Sequence, residues 1–311
     1  MRERDVLARL RRMASAPEAR GLLDDVAVLD GLVFTHDTIA EGVHFLPFDP
    51  PASVGWKLVA VNLSDLAAKG AEPRGALLSL TLAGNGEWED GFLAGVEAAC
   101  ESYGLPLIGG DTIALPKGAP RVLGMTAIGT AATHVPDRSG GSPGDALWLV
   151  GTLGDSAAGL AQLRIDRKAV GPLVDVYRRP IPQLGAGRAI APVATAMMDV
   201  SDGLFLDALR LAEASGCAAA IELDSLSLSS AFRAIHGDGL EGRMFAATAG
   251  DDYALLAALP AGLDPGGLDV PERTIVSRIG LLGPGPARLS ATFAGREVEL
   301  PARLGFEHKG H

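Results

Sequence analysis

The sequence is poor in several features, and each shortage removes a class of protein. Cysteine occurs twice in 311 residues, as Cys100 and Cys217, each in a small-apolar context. That leaves no basis for a disulfide framework and suits a reducing cytoplasm. Basic charge is also scarce: 27 Lys and Arg face 38 Asp and Glu, for a net charge of −11. A nucleic-acid partner needs a clustered basic surface, so none is expected. Long apolar runs are missing as well; stretches such as 75–83 are too short to cross a bilayer, and no membrane partner is expected. The opening MRERDVLARLRRM is charged and amphipathic with no apolar h-region, and Glu3 and Asp5 argue against a mitochondrial presequence.

Familiar catalytic signatures are absent too. There is no Gly-x-x-x-x-Gly-Lys-Ser/Thr loop, no His-Glu-x-x-His pair and no Gly-x-Ser-x-Gly elbow. A P-loop nucleotide site, zinc proteolysis and esterase chemistry are therefore unsupported. Gly185-Ala186-Gly187 lacks the third glycine of a dinucleotide fingerprint. Gly151-Thr152-Leu153-Gly154-Asp155 reads as a tight turn or, less often for such a stretch, as an anion cradle.

What remains is ordinary globular material: 48% apolar and 21% charged residues, with 40 Gly and 20 Pro spread along the chain. The length exceeds what one hydrophobic core usually supports, so two domains are expected. Apolar spacing and capping residues predict helices over 2–13, 53–69, 88–103, 155–163, 184–194 and from 204 to about 216. Strands are expected at 31–37, 76–82, 105–108, 121–130, 146–150, 196–199, 217–223, 244–248 and 253–259. The Gly, Pro and Ser-rich segment 134–145 marks the boundary, giving domains 1–137 and 138–311. Strands and helices alternate in both, which predicts α/β or α+β layers.

The aspartates carry the chemistry. Asp37, Asp111, Asp199 and Asp202 follow apolar, strand-like runs; Asp25 precedes one, beside Asp24; Asp65 lies in an apolar helix one turn after Asn62. Singly, each reads equally well as a turn former or helix cap, and Ser201-Asp202 looks like a helix start. Collectively, carboxylates at several strand ends converge on one edge, and such a cluster repels itself unless cations neutralise it. Oxygen donors without Cys or His pairs point to magnesium or calcium, and magnesium typically shares its carboxylates with substrate phosphates.

These motifs, in order, resemble the thiamine-monophosphate kinase family. The matching runs are Leu22-Leu23-Asp24-Asp25, Asp37-Thr38, Glu41-Gly42-Val43-His44-Phe45 and Ala60-Val61-Asn62-Leu63-Ser64-Asp65-Leu66-Ala67-Ala68. Leu107-Ile108-Gly109-Gly110-Asp111-Thr112, Arg138-Ser139-Gly140 with Pro143-Gly144-Asp145, and Asp199-Val200-Ser201-Asp202-Gly203-Leu204 follow. Gly250-Asp251-Asp252-Tyr253 and Gly305-Phe306-Glu307-His308 end the series, which spans almost the whole chain.

The resemblance implies an aminoimidazole-ribonucleotide-synthetase-like fold of two α/β domains, with N-terminal sheets pairing in a homodimer. It implies ATP as co-substrate, thiamine monophosphate as acceptor, direct in-line transfer between them, and several Mg2+ ions held by Asp25, Thr35, Asp37, Asp65, Asp111, Asp199 and Asp202. It assigns ATP contacts to Gly110, Asp111, Arg138 and Ser201, substrate contacts to His44, Asp251 and Phe306, and no protein group as catalytic base. Leu23, Lys69, Gln183 and Asp251 depart from residues common in that family. Sequence alone leaves simpler roles open: Arg138 paired with Asp137 or Asp145, Lys69 with Asp65, His44 as a half-buried histidine and Phe306 as a C-terminal anchor. A purine-pathway synthetase of the same fold and a silent nucleotide-binding module are the alternatives. Relatives with a reactive cysteine near the N-terminus or at the C-terminus fit less well, because no cysteine precedes Cys100 and the chain closes on Glu-His-Lys-Gly-His.

Overall fold

A computed structural model describes residues 3–131 and 134–307. The first half contains α1 (Glu3–Arg11), β1 (Ala27–Leu29), β2 (Leu32–Ala40), α2 (Pro51–Ala68), β3 (Glu72–Leu82), α3 (Gly86–Tyr103), β4 (Leu107–Ala114) and β5 (Val122–Thr130). Its five strands form one sheet in the order β1-β2-β5-β3-β4, antiparallel except for the β3–β4 pair.

The second half begins with β6 (Ala146–Val150), α4 (Asp155–Ile165), α5 (Pro172–Arg178) and α6 (Leu184–Ile190). It continues with β7 (Ala196–Val200), α7 (Leu204–Ser215), β8 (Ala218–Glu222), α8 (Ser230–His236), α9 (Leu240–Thr248) and β9 (Ala254–Leu259). The strands β10 (Val276–Gly283), β11 (Arg288–Phe293) and β12 (Arg296–Val298) complete it. Seven strands form the second sheet, in the order β12-β11-β8-β10-β6-β9-β7.

Both sheets are mainly antiparallel, so the alternation read in the sequence resolves into an α+β arrangement. The expected strand at 244–248 is instead the end of α9. Its run Met244-Phe245-Ala246-Ala247-Thr248 is too short for period alone to separate helix from strand. The Arg243 side chain secures that helix by donating to the Leu223 and Leu226 carbonyls. β4 differs as well: it starts at Leu107 and carries Gly109, Gly110 and Asp111 within the strand, not in a turn after it. At Gly110 the backbone has φ 153°, and a Cβ there would lie 2.0 Å from the Leu78 carbonyl oxygen. Only glycine fits that approach of β4 to β3.

The element that organises the rest is α2. Fifteen of its 18 residues are buried, among them Lys57, Asn62, Ser64 and Asp65. It packs against α3, β2 and β5 on one side and against α6, β7 and β9 on the other. A helix buried on every side is largely apolar all round, as in the run from Leu58 to Val61, and its few buried polar groups need partners. One core cluster consequently spans both halves, from Val33 and Leu123 through Leu58 to Met197 and Leu255. Cys100 and Cys217 are both free thiols. Among the described residues no helix is long and apolar enough to cross a membrane.

The α2–α3 contact requires two backbones to touch. A Cβ at Gly95 would lie 2.0 Å from the Ala52 carbonyl oxygen, and one at Gly55 would lie 2.2 Å from the Phe92 carbonyl oxygen. Gly95→Ala is therefore expected to cost about 1–3 kcal/mol through overpacking, read from denaturant midpoints. Gly86→Ala, at the open end of the same helix with nothing within 4 Å, should leave the midpoint unchanged or slightly raised.

Candidate active site

A cavity of about 520 Å³ lies where the two halves meet at α2. It is lined by Asp25, Asp37, His44, Asp65, Asp199, Ser201, Asp202, Asp251 and Phe306, so nine of the residues expected from sequence surround one space. They come from separate elements: Asp25 precedes β1, Asp37 lies on β2, Asp65 on α2 and Asp199 on β7. Ser201 and Asp202 occupy the turn into α7, and Asp251 the loop between α9 and β9.

The strand period explains the local choices. Thr35 and Asp37 face α2 from alternate positions of β2, while His36 between them is exposed on the opposite face beside Thr126. Thr35 is buried and its hydroxyl donates to Asp65 Oδ2. Asn62 accepts the Asp37 backbone N–H at 3.0 Å and donates to the Leu58 carbonyl, so both ends of that amide are used.

Asp25, Asp65 and Asp199 each offer a carboxylate oxygen, and the three atoms lie within 4.8 Å of one another. Burial pushes Asp65 and Asp199 well above the ordinary carboxylate range, and repulsion from neighbouring aspartates pushes them further. The hydroxyls of Thr35 and Ser64, the latter at 2.7 Å from Asp199 Oδ2, oppose that shift without cancelling it. Asp37 is raised to about 6, by burial first and then by Asp25 and Asp202. Asp25 goes the other way: burial alone would raise it, but Arg138, Lys69 and Arg210 together hold it below the usual value. Its Oδ2 is buried with no hydrogen-bond partner among the described residues. An all-oxygen donor set, crowded and short of positive charge, with one orphaned buried oxygen, fits a hard divalent cation.

Arg138 pairs with Asp25, not with Asp137 or Asp145. Lys69, fully buried, pairs with Asp24 at 2.6 Å and donates to the Met197 carbonyl, not to Asp65. The expected helix start at Ser201-Asp202 is capped from inside: Asp207 accepts the backbone N–H groups of Asp202 and Gly203. Arg210 bridges Asp202 and Asp207 at 2.5 and 2.9 Å. Burial and these neighbours leave Asp207 at about 7. His44 is half-buried, with Nδ1 accepting the Ala40 N–H at 3.0 Å, and Phe306 faces the cavity at its C-terminal wall. The Gly151–Asp155 turn is filled from within, since both carboxylate oxygens of Asp252 accept the Gly154 N–H at 2.9 and 3.0 Å. The turn's occupant is thus a side chain of the protein itself, and burial pushes that carboxyl well above the usual carboxylate range.

Gly110 and Asp111 stand apart. They lie on β4, exposed along its whole length at the sheet edge, and they are not among the cavity's lining residues. Conversely, Ser156, Tyr177 and Tyr253 line the cavity and Lys57 reaches Asp251 behind its wall, although the sequence motifs assign none of the four a role. Lys57 did leave a trace, as a charge within the apolar helix 53–69.

Two family models match the chain: AIR synthase related protein, N-terminal domain, at residues 23–131, and the corresponding C-terminal domain at 142–264. The thiamine-monophosphate kinase of Salmonella typhimurium is 39% identical over 262 residues, covering 80% of this chain and 79% of that protein. The one from Caulobacter vibrioides is 36% identical over 329 residues, covering 98% and 90%. Among solved structures, AaThiL complexed with AMPPCP and TMP superposes with a TM-score of 0.85 at 30% identity, over 99% of this chain and 97% of that one. Thiamine monophosphate kinase from Aquifex aeolicus gives 0.80 at 30% identity, over 96% and 99%. With the motif order, the acidic cavity and these relatives in agreement, the chain is a kinase of the thiamine-monophosphate kinase family.

Proposed function

We propose that the protein transfers the γ-phosphoryl group of ATP directly to the phosphate of thiamine monophosphate, forming thiamine diphosphate and ADP. The observation that carries this reading is the convergence of Asp25, Asp65 and Asp199 beside a cavity whose far wall offers different chemistry. An acceptor phosphate oxygen attacks the γ-phosphorus while the bond to the β-bridging oxygen breaks, in line and without a phosphoenzyme. The acceptor is already an anion near neutral pH, so no protein base is needed. Magnesium, when bound, neutralises the two approaching phosphates and stabilises charge spread over the transferring group.

The chain's own residues bind and orient. Asp25, Asp37, Asp65, Asp199 and Asp202 are the metal-holding carboxylates of this reading, with Thr35 fixing Asp65. Arg138 and Ser201 border the acidic end and serve the nucleotide phosphates. Asp251, His44 and Phe306 lie around the rest of the cavity and receive the heteroaromatic part of the acceptor. The phosphate of thiamine monophosphate belongs at the acidic end, which leaves its aminopyrimidine, a hydrogen-bond donor, to Asp251.

Gly110 and Asp111 reach a nucleotide in this scheme through a homodimer. Leu107, Ile108 and Ile113 on β4 are 52–58% exposed, an unpaired apolar edge of the kind that a second copy covers. Residues 1–137 then act as the ATP, magnesium and dimerisation domain, and 138–311 complete the site. We assign the enzyme to the cytoplasm.

The direct test is to incubate protein with ATP and thiamine monophosphate, with magnesium or chelator, and to follow thiamine diphosphate by chromatography. Magnesium-dependent product supports the reading, and its absence from folded, ATP-binding protein contradicts it. Asp65→Asn keeps the shape and removes a ligand, so kcat should fall at least about a hundredfold. Its metal-free melting temperature should hold or rise, since the amide cannot ionise beside the neighbouring buried aspartates.

Proton linkage gives a second check. Asp37 at about 6 binds its proton more tightly in the folded state than in the unfolded chain. Its contribution to stability is therefore complete below the ordinary carboxylate range and lost as pH rises through 6. The metal-free protein should melt lower at pH 7.5 than at pH 5, with a smaller drop in Asp37→Asn. Magnesium should raise the melting temperature more at the higher pH.

A further inference from the structure

Besides Asp65, α2 carries one more charge into its buried length. Lys57 is 2% exposed, and its ammonium lies 2.5 Å from Asp251 Oδ2 and 4.2 Å from the centre of the Tyr177 ring. Ser156 at the start of α4 donates to the same oxygen at 2.8 Å, and Tyr253 donates its hydroxyl proton to Oδ1 at 2.9 Å. Of the roughly four acceptor positions on a carboxylate, three are thus taken by the protein. The Asp251 side chain is still 27% exposed and belongs to the cavity wall, so the remaining acceptor position is offered to a ligand.

The backbone is organised around this presentation. Asp251 and Tyr253 adopt φ of 71° and 54°, left-handed conformations that cost energy in residues with a Cβ. Between them, Asp252 anchors to the N-terminal turn of α4. Ser156, Tyr177 and Tyr253 all come from the second half; Lys57 is the contact from the first half. A buried ammonium set against both a carboxylate and a ring face needs its partners in place, and it fixes them in return.

We propose that Lys57 is a positioning residue for acceptor recognition, holding the Asp251 carboxylate so that its open acceptor position meets the amino group of the acceptor's heteroaromatic ring. This rests on thiamine monophosphate being the acceptor. Lys57 is not among the cavity's lining residues, and it acts on the acceptor through Asp251. It also makes recognition of the acceptor depend on both halves of the chain.

The test is a double-mutant cycle on the full-length protein with Lys57→Met, Asp251→Asn and the pair combined. The readouts are the calorimetric Kd for thiamine monophosphate with AMPPCP and magnesium present, and the KM for ATP. Lys57→Met should weaken acceptor binding about tenfold or more, while the KM for ATP moves less than about twofold. The double variant should bind no more weakly than Asp251→Asn, because the lysine has nothing left to position. A general structural defect would move both ligands, and that outcome overturns the proposal, as does an unchanged Kd in Lys57→Met or independent, additive losses. If Lys57→Met does not fold, the neutral pair restores charge balance, and equal Kd values for Asp251→Asn and the double variant still decide the matter. Wild-type protein that binds and turns over no thiamine monophosphate overturns the acceptor assignment itself, a failure visible before any variant is made.

Discussion

Helix α2 is enclosed by both sheets' neighbourhoods, and every polar group on it has to find a partner in another part of the chain. Lys57 reaches Asp251, Asn62 takes the Asp37 N–H, Ser64 donates to Asp199, Asp65 accepts from Thr35, and Lys69, just past the helix end, pairs with Asp24. These contacts run to both halves. The condition that keeps the helix buried is therefore the same one that brings β2, β7, the β1 approach and the β9 approach together around one cavity.

Within that cavity, magnitudes decide what the carboxylates need. At an effective dielectric constant of about 20, two unit charges about 5 Å apart repel by on the order of 3 kcal/mol. Even to ionised carboxylates, the Thr35 and Ser64 hydrogen bonds each return only about 2 kcal/mol, against three such repelling pairs. Hydroxyls therefore cannot hold three ionised carboxylates in place. The chain meets part of the demand with cations of its own: Arg138 and Lys69 act on Asp25, and Arg210 on Asp202. Among the described residues Asp65 and Asp199 face no such cation at bonding distance; burial first and the neighbouring aspartates second raise their proton affinity, and the arrangement suits an added divalent ion. The other end of the cavity is balanced differently. There Asp251 has a lysine of its own as an ion-pair partner.

Much of this was legible in the sequence, for identifiable reasons. Long periodic segments such as 53–69 and 88–103 announced α2 and α3, and aspartates beside apolar runs announced the acidic end. What local pattern could not convey was partnership across the chain. Arg138 sits between Asp137 and Asp145 in sequence, yet it reaches back over more than a hundred residues to Asp25. Lys69 lies one turn from Asp65 and pairs instead with Asp24. Met244–Thr248 is too short for its period to declare a helix, and the seven-residue α5 and α8 gave no signal of their own. Gly110 and Asp111 were read with the other site residues because their motif matches, but one chain leaves them on an exposed edge. Lys57 stands in the apolar helix 53–69 without a motif of its own. Only its burial between the two halves reveals its partner.

The central claim is that α2 brings carboxylates from both halves into a single divalent-cation site. Anomalous diffraction from crystals grown with manganese in place of magnesium tests it directly. The account predicts a strong anomalous peak bounded by Asp25, Asp65 and Asp199, lost in Asp199→Asn crystals that retain the fold. Manganese bound elsewhere, with those three carboxylates unliganded, would contradict it.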